Sequence, residues 1–256
     1  MSFKRIRIII LFAILFFVSM NAWLTKLRTT DWDTSLWVAV YPINGDGSQA
    51  VSDYINAVEV TRFKPIESFM EQEAKRYNVP LNNPVTIKLA PEIKDIPPKP
   101  PLGVSIINVM WWSLKIRYWA YKVDTFDGPA PNIRLFLIYH APEVHKVLDH
   151  SLGLQKGLIG VVNIFADKRA EARNNVVITH EILHTIGASD KYDLLSVQPL
   201  YPDGFAEPNL EPLYPQSVAE IMGGRIPLSD TESVIPQGLE QTMLGLKTGQ
   251  EINWVD

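Results

Sequence analysis

Residues 180–190, with the sequence His-Glu-Ile-Leu-His-Thr-Ile-Gly-Ala-Ser-Asp, constrain the fold of this chain more than any other stretch. In a helix, side chains four positions apart lie on one face, so His180 and His184 can direct ring nitrogens to one metal ion. Glu181 falls beside that face, where its carboxylate can hold a water molecule and take its proton. The sequence therefore predicts a helix with a catalytic zinc site, in which Glu181 is the catalytic base and not a ligand.

A third ligand close in sequence requires the chain to turn back after this helix. Gly187 can adopt a left-handed conformation at little cost, and Asp190 is the natural ligand beyond that turn. Three protein ligands leave a fourth position for water and substrate, as in catalytic zinc sites. We therefore predict one Zn²⁺ ion held by His180, His184 and Asp190. Two alternatives stay open: a surface helix with two unrelated histidines, and an inactive zinc-binding protein.

The motif at residues 180–190 resembles that of the metzincin zinc endopeptidases, in the variant that ends in aspartate, and looks like snapalysin. Residues 190–193, Asp-Lys-Tyr-Asp, are similar to the immune-inhibitor-A group of secreted bacterial peptidases. The Ile-Met-Gly-Gly string at 221–224 resembles the methionine turn of the same clan, which implies that Met222 lies under the two histidines. The implied fold is α+β, with a mixed twisted sheet, an active-site helix, the methionine turn and a C-terminal helix.

One position departs from the metzincin pattern. Several families of the clan carry a tyrosine two residues after the turn methionine, which helps to bind the metal or the transition state, but this position is Gly224. Tyr192 is the nearest candidate for that role, with Tyr201 and Tyr214 behind it. Each of the three can equally be a packed or surface aromatic.

Four short runs of β-branched and aromatic residues predict strands at 36–41, 85–89, 133–139 and 158–165. The fourth run comes shortly before the zinc helix. In metzincins an edge strand above the cleft pairs with an extended peptide substrate, and main-chain pairing of this kind binds peptides with little demand on side chains. The resemblance assigns this role to Gly160, Val161, Val162, Asn163 and Ile164.

Apolar periodicity predicts further helices over residues 52–77, with an interruption near Pro65, and over 106–119 and 237–246. The second of these contains Trp111, Trp112 and Trp119, for which we favour core packing over contact with a membrane or substrate. Asn174 or Asn175 is expected to cap the zinc helix. Five prolines between Asp190 and Met222 predict a long irregular wall of the cleft.

The amino-terminal segment is apolar from Ile8 to about Leu24 and follows three basic residues. Its length is near the lower limit of about 17 residues for a spanning helix, so an uncleaved signal anchor and a cleaved signal peptide both fit. We favour the anchor, because Trp23, Trp32 and Trp37 suit an interfacial aromatic belt. A buried helix is the third alternative. The basic residues predict an inside amino terminus and an extracytoplasmic domain, which is secreted if the segment is cleaved.

These features divide the chain into a signal segment at 1–24, a short linker at 25–34 and a zinc metallopeptidase domain at 35–256. The chain has no cysteine, so thiolates cannot hold the zinc, and its net charge of −4 makes nucleic acid an unexpected partner. Residues 187–256 contain eleven acidic and three basic residues, which predicts either a preference for cationic substrates or a solvated acidic surface.

The sequence thus predicts a membrane-tethered or exported zinc endopeptidase whose partners are a peptide or protein substrate and, through residues 1–24, a membrane. One alternative is a non-catalytic envelope protein that zinc stabilises for binding a partner. Glu181 separates these two, because a binding protein has no chemical need for it. A zinc hydrolase of a non-peptide envelope bond is a third alternative and uses the same residues.

Overall fold

The computed structural model describes residues 3–101 and 105–255, without the side chains at positions 3, 14, 17, 18 and 21–29. Its helices are α1 (Phe3–Thr30), α2 (Gln49–Asn56), α3 (Lys64–Arg76), α4 (Ile106–Val123), α5 (Glu171–Ile186) and α6 (Leu246–Glu251). The strands of the main sheet are β1 (Leu36–Asn44), β2 (Val85–Leu89), β3 (Ile133–His140), β4 (Leu152–Leu154) and β5 (Ile159–Phe165). Four two-residue strands follow α5: β6 (Ala219–Glu220), β7 (Ile226–Pro227), β8 (Ser233–Val234) and β9 (Thr242–Met243).

The main sheet has five strands in the order β2-β1-β3-β5-β4. The first four are parallel, with Val40 beside both Leu89 and Leu135, whereas β4 is antiparallel to β5. The four predicted strands are therefore confirmed, within a mixed α/β architecture that agrees with the α+β expectation. Continuous apolar runs in β1 and β3 suit this position, because a parallel strand covered on both faces is buried along its whole length.

Helices cover both faces of the sheet and form two cores. Val38 and Val40 of β1 pack in the first core with α2, α3 and α5, whereas the alternate residues Ala39 and Tyr41 pack in the second core with α4. In the second core Ile116 of α4 is completely buried and Ala120 is nearly so. Helices α5 and α4 therefore lie on opposite faces of the sheet.

The edge strand of the sheet next to α5 is β4. The prediction that residues 160–164 form this edge is therefore wrong. In β5, Gly160 and Val161 pair with Leu135 and Phe136 of β3 on one side. On the other side they pair with Gly153 and Leu152 of β4. Farther along β5, the Asn163 N–H donates to the Ser151 hydroxyl at 3.0 Å and its side-chain amide donates to the His150 carbonyl at 3.2 Å. The sequence Leu-Gly-Leu of β4 is too short for any periodic signal, so the strand was missed.

The helix predictions are confirmed in part. The stretch 52–77 is two helices separated by a 3₁₀ turn, and Pro65 lies in the first turn of α3, where its missing N–H costs nothing. The helix predicted over 237–246 is wrong. Gly238 is extended there, Thr242 pairs with β6, and α6 begins only at Leu246.

The three tryptophans of α4 are not all packed in the core. Trp112 and Trp119 pack against the second core, as predicted, but Trp111 is 62% exposed. The residue that ends α4, Asp124, accepts hydrogen bonds from the Tyr41 hydroxyl at 2.6 Å and the Arg134 guanidinium at 2.7 Å. Burial opposes ionisation of this carboxyl, but the two hydrogen bonds outweigh it and lower the pKa of Asp124.

Residues near the two ends of the described chain are joined. The indole N–H of Trp32 donates to the Ile252 carbonyl at 2.7 Å, and the Asn253 amide donates to the Thr30 carbonyl at 2.8 Å. The rings of Trp32 and Trp254 meet edge to face with centroids 5.3 Å apart. The domain is thus closed by contacts between residues more than 200 positions apart.

Helix α1 includes most of the predicted signal segment, and it continues to Thr30 through the first part of the predicted linker. Residues 1–2 of that segment, and several of its side chains including that of Trp23, lie outside the described residues. Among the residues that the structure describes, no helix is both long enough and apolar enough to cross a membrane.

Candidate metal centre

Helix α5 presents two histidines on one face and apolar side chains on the other. Ile178 and Ile182 are buried in the first core, whereas His180 and His184 are half-buried with ring centroids 4.6 Å apart. The helix ends at Gly187, whose φ of +119° is left-handed and whose N–H bonds back to the carbonyls of the last turn. The predicted turn is therefore present, and it returns the chain toward the histidines.

Asp190 meets both histidines after this turn. Its Oδ1 atom lies 3.1 Å from Nε2 of His180 and 3.1 Å from Nε2 of His184. One ligand atom from each of the three residues lies within 4.8 Å of the others, so among the described residues these three form a group that could hold a metal ion. Tetrahedral ligands at about 2.0–2.1 Å from zinc lie about 3.3 Å apart, so the spacing of these atoms fits such an ion.

Hydrogen bonds on the far side of each ring fix the histidine tautomers. Nδ1 of His180 lies 3.0 Å from the Ile221 carbonyl, and Nδ1 of His184 lies 2.8 Å from the Ala188 carbonyl. A carbonyl can only accept, so each Nδ1 carries the proton and each Nε2 of the neutral ring keeps its lone pair. Two lone pairs and a carboxylate oxygen thus converge, which is the donor set of a divalent cation with a supporting outer shell.

Glu181 lies beside this cluster and is almost fully buried. Its Oε2 atom is buried without a hydrogen-bond partner in the described structure, although most buried polar atoms have one. Burial raises the pKa of Glu181, against the opposing effect of the two histidines. An unpaired carboxylate with a raised pKa thus lies next to the three candidate ligands.

The edge strand β4 packs directly against this part of α5. At Gly153 a Cβ atom would overlap the Cβ of His184 and lie 2.7 Å from the Glu181 carbonyl oxygen. The same Cβ would lie 3.2 Å from Oε2 of Glu181. Only glycine permits this approach, and nothing in the sequence indicated it, because Gly153 contacts residues that are about 30 positions away.

Asp190 is held in place by a buried ion pair on its C-terminal side. The Lys191 ammonium, 3% exposed, donates to Glu251 of α6 at 2.7 Å and to the Ser189 carbonyl at 2.9 Å. Glu251 also accepts from the N–H and hydroxyl of Ser189, at 2.9 and 2.6 Å. When both imidazole rings are protonated, their Nε2 atoms donate to Asp190, and although burial favours the neutral carboxyl, these hydrogen bonds hold the pKa of Asp190 well below its usual range.

The methionine turn is anchored by a completely buried carboxylate that sequence reasoning did not identify. Glu220 accepts hydrogen bonds from the Gly223 N–H at 2.7 Å, the Gly245 N–H at 3.0 Å and the Thr248 hydroxyl at 2.7 Å. Met222 is buried in the first core, and its carbonyl accepts from the Lys191 N–H at 2.9 Å. Since the neighbouring Ile221 carbonyl bonds to His180, this turn lies next to the cluster.

The three candidate tyrosines differ in position. The ring of Tyr192 lies 6.4 Å from that of His180, and burial together with the nearby Asp190 carboxylate raises its pKa to about 12. Tyr201 and Tyr214 instead pack around Phe205, with centroids 5.5 and 5.8 Å from its ring. Tyr192 is therefore the tyrosine that the fold brings to the cluster.

One other sequence expectation concerns the start of α5. Asn174 and Asn175 do not cap α5, because both lie inside this helix. Asn174 instead donates to the Phe165 carbonyl at 2.8 Å and so ties the helix to β5. The rings of His140 and His145 touch, with centroids 4.9 Å apart, although they do not belong to a metal-ligand cluster of the described residues.

Comparison of the sequence with protein families finds no family that matches it, and comparison with curated proteins finds no relative.

Proposed function

We propose that this protein is a zinc-dependent endopeptidase. The observation that carries the proposal is the convergence of His180, His184 and Asp190 on one point, with the unpaired Glu181 carboxylate beside them. The accompanying elements are compatible with a metzincin-like domain: a parallel sheet with an antiparallel edge strand, a left-handed turn at Gly187 and a buried Met222. The proposal includes that family assignment.

The protein residues divide the work of hydrolysis. His180, His184 and Asp190 would hold the ion, and zinc supplies Lewis acidity that polarises a carbonyl and lowers the pKa of water to about 7. Oε2 of Glu181 holds the attacking water, accepts its proton and delivers that proton to the leaving amine. The Tyr192 hydroxyl, protonated at neutral pH, can donate a hydrogen bond to the developing oxyanion.

Strand β4 takes over the substrate-binding role that the sequence assigned to residues 160–164. Among the described residues no strand pairs with the outer side of β4, and its inner side is paired with β5. Backbone groups at a sheet edge can pair with an extended peptide. Because Gly153 of β4 touches the zinc helix at Glu181 and His184, a peptide on this edge would pass beside the cluster.

Export is part of the same proposal. Residues 1–24 would act as a signal anchor with the amino terminus inside and the enzyme outside the cytoplasm, or as a signal peptide whose cleavage secretes the enzyme.

The rival proposal is a non-catalytic protein that zinc merely stabilises. Such a protein needs the three ligands but gains nothing from Glu181, and a buried carboxylate oxygen without a partner costs stability. The position of Glu181 therefore favours an enzyme. A zinc hydrolase that acts on a non-peptide bond of the cell envelope would use the same residues, so only substrate assays distinguish it from an endopeptidase.

The test uses the full chain, its Glu181→Gln and Asp190→Ala variants, and Glu143→Gln as a control on an exposed carboxylate. Bound zinc is measured by elemental analysis, and cleavage is measured with an unstructured protein. We expect Glu181→Gln to retain zinc and lose cleavage, Asp190→Ala to lose zinc, and Glu143→Gln to match the natural chain. Cleavage that survives in Glu181→Gln, or that persists after a chelator has removed the zinc, would refute the proposed role of these residues.

A further inference from the structure

Helix α4 turns a continuous apolar face away from the sheet. Its inner face is formed by buried residues such as Ile116 and Ala120, which pack in the second core. The opposite face carries six large side chains that are 56–79% exposed: Ile107, Met110, Trp111, Leu114, Tyr118 and Tyr121. Their spacing of three and four residues places them in one stripe along the helix. Exposed apolar surface of this extent marks an interaction site.

The charges around this stripe have one sign. Residues 96–123 contain four basic residues and no acidic residue, in a chain whose net charge is −4. Lys115 and Lys122 are exposed and seven positions apart, so they lie on the same flank of the stripe two turns from each other. Arg117 is already engaged, because its guanidinium donates to the Lys156 carbonyl. The two lysines thus give the apolar stripe a cationic border.

A cavity at the amino end of α4 joins this border. It has a volume of about 260 Å³ and is lined by Trp111, Trp112, Asn108 and two lysines, Lys99 and Lys115. The indole N–H of Trp112 donates to the Pro98 carbonyl at 2.8 Å, which fixes the proline-rich segment as the other wall. Asp149 lies 3.5 Å from the Lys99 ammonium, but both side chains are largely exposed, so this pair is weak. A cavity lined by two lysines and two indole rings suits an anionic headgroup.

We propose that α4 is a peripheral membrane-binding helix that lies on the surface of a bilayer containing anionic phospholipid. An apolar stripe with tryptophan and tyrosine, bordered by lysine, is the composition of interfacial helices. The cavity beside Lys99 and Lys115 takes a lipid phosphate. A second copy of the chain is a poorer partner, because pairing two α4 faces brings lysines of like charge together. Docking in this orientation leaves α5, on the opposite face of the sheet, away from the bilayer. The inference does not depend on zinc or on peptidase activity.

The test measures contact with lipid at one position in the full chain. A measurement of the fraction of protein bound to vesicles would also include any contribution from α1. The chain contains no cysteine, so Tyr118→Cys can carry a single fluorescent label on the outer face of α4. The matched control is Gln72→Cys, an exposed position on α3 across the sheet. Each labelled protein is added to phosphatidylcholine vesicles, or to vesicles of equal parts phosphatidylcholine and phosphatidylglycerol, with a quencher attached to lipid. We expect quenching at position 118 in the anionic vesicles and none at position 72.

Charge variants of the labelled protein test the cationic border. Each basic residue near an anionic surface strengthens binding about fivefold, so Lys115→Gln with Lys122→Gln should lower the ratio of docked to undocked protein roughly 25-fold. The control pair Lys64→Gln with Lys75→Gln removes the same charge from α3 and should leave the ratio unchanged. Equal quenching at positions 72 and 118, or none at 118, would overturn the proposal. So would lipid-independent shielding of the label at 118 that grows with protein concentration, since a second copy would then cover the stripe.

Discussion

Replacement of Glu220 should separate the methionine turn from the C-terminal part of the domain. Its carboxylate is completely buried and accepts three hydrogen bonds, from Gly223 within the turn and from Gly245 and Thr248 beyond it. Glu220→Ala leaves all three donors without a partner. At about 1.5 kcal/mol for each orphaned donor, the free energy of unfolding falls by about 5 kcal/mol, a large part of the stability of an ordinary domain.

Two milder variants give an internal scale for this loss. Glu220→Gln keeps an oxygen for Gly245 and Thr248 but turns an amide N–H toward the Gly223 N–H, so it should cost about 2 kcal/mol. Thr248→Val removes one donor and keeps its shape, at about 1 kcal/mol. The order of stability is therefore the natural chain, Thr248→Val, Glu220→Gln and Glu220→Ala.

Equilibrium urea unfolding of the full chain, followed by tryptophan fluorescence, measures these differences. With a slope of about 2 kcal/mol per molar urea, Glu220→Ala lowers the midpoint by about 2.5 M. Glu240→Gln, on an exposed carboxylate, is the control and should not move the midpoint. The reasoning is refuted if Glu220→Ala unfolds at the midpoint of the natural chain, or if Glu220→Gln is as unstable as Glu220→Ala.

Three further predictions concern the packing of the site, its ion pair and the attachment of α4. Gly153→Val should weaken zinc binding about tenfold or more in a calorimetric titration, because its side chain overlaps the zinc helix. Glu251→Ala should lower the free energy of unfolding by about 3–5 kcal/mol, because it leaves the buried Lys191 ammonium unpaired. The pKa of Asp124 is lowered by folding, so the stability that it contributes is complete above the pKa of the unfolded chain, about 4, and is lost as the pH falls below that value. The natural chain should therefore lose more stability than Asp124→Asn between neutral and acidic pH, in unfolding measured across that range.

Each of these three has a contrary outcome. Unchanged zinc affinity in Gly153→Val would mean that β4 moves away from α5 without disturbing the ligands. A Glu251→Ala protein as stable as the natural chain would show that Lys191 finds another acceptor. Parallel pH profiles for Asp124→Asn and the natural chain would show that this carboxyl has no shifted pKa.

The convergence of the three candidate ligands was predictable because its geometry is local. His180, His184 and Asp190 lie within eleven consecutive residues, and the helix period together with one glycine turn decides where their side chains go. The central strands were predictable for a similar reason. Each is a continuous run of β-branched and aromatic residues, which is typical of strands buried on both faces.

The supporting contacts were not predictable, because they join elements far apart in sequence. Glu251 reaches Lys191 across 60 positions, and Gly153 touches His184 across about 30. The prediction that Asn174 caps α5 is wrong for a different reason. Its amide has the chemistry of a helix cap, but in the fold it bonds to the Phe165 backbone, so tertiary contact overrides local preference.

The joining of Trp32 to Ile252 and Trp254 has a consequence for the order in which the domain can form. Contacts that span more than 200 residues close a very long loop, and such closure slows folding. During synthesis, strands β1 to β5 and helix α5 are all made before residue 252 leaves the ribosome. The emerging protein therefore passes through a stage in which His180, His184 and Asp190 are present while Lys191 still lacks Glu251 and Trp32 still lacks its acceptor. The emergence of residues 251–254, more than the making of the motif at 180–190, sets the moment at which this domain becomes rigid.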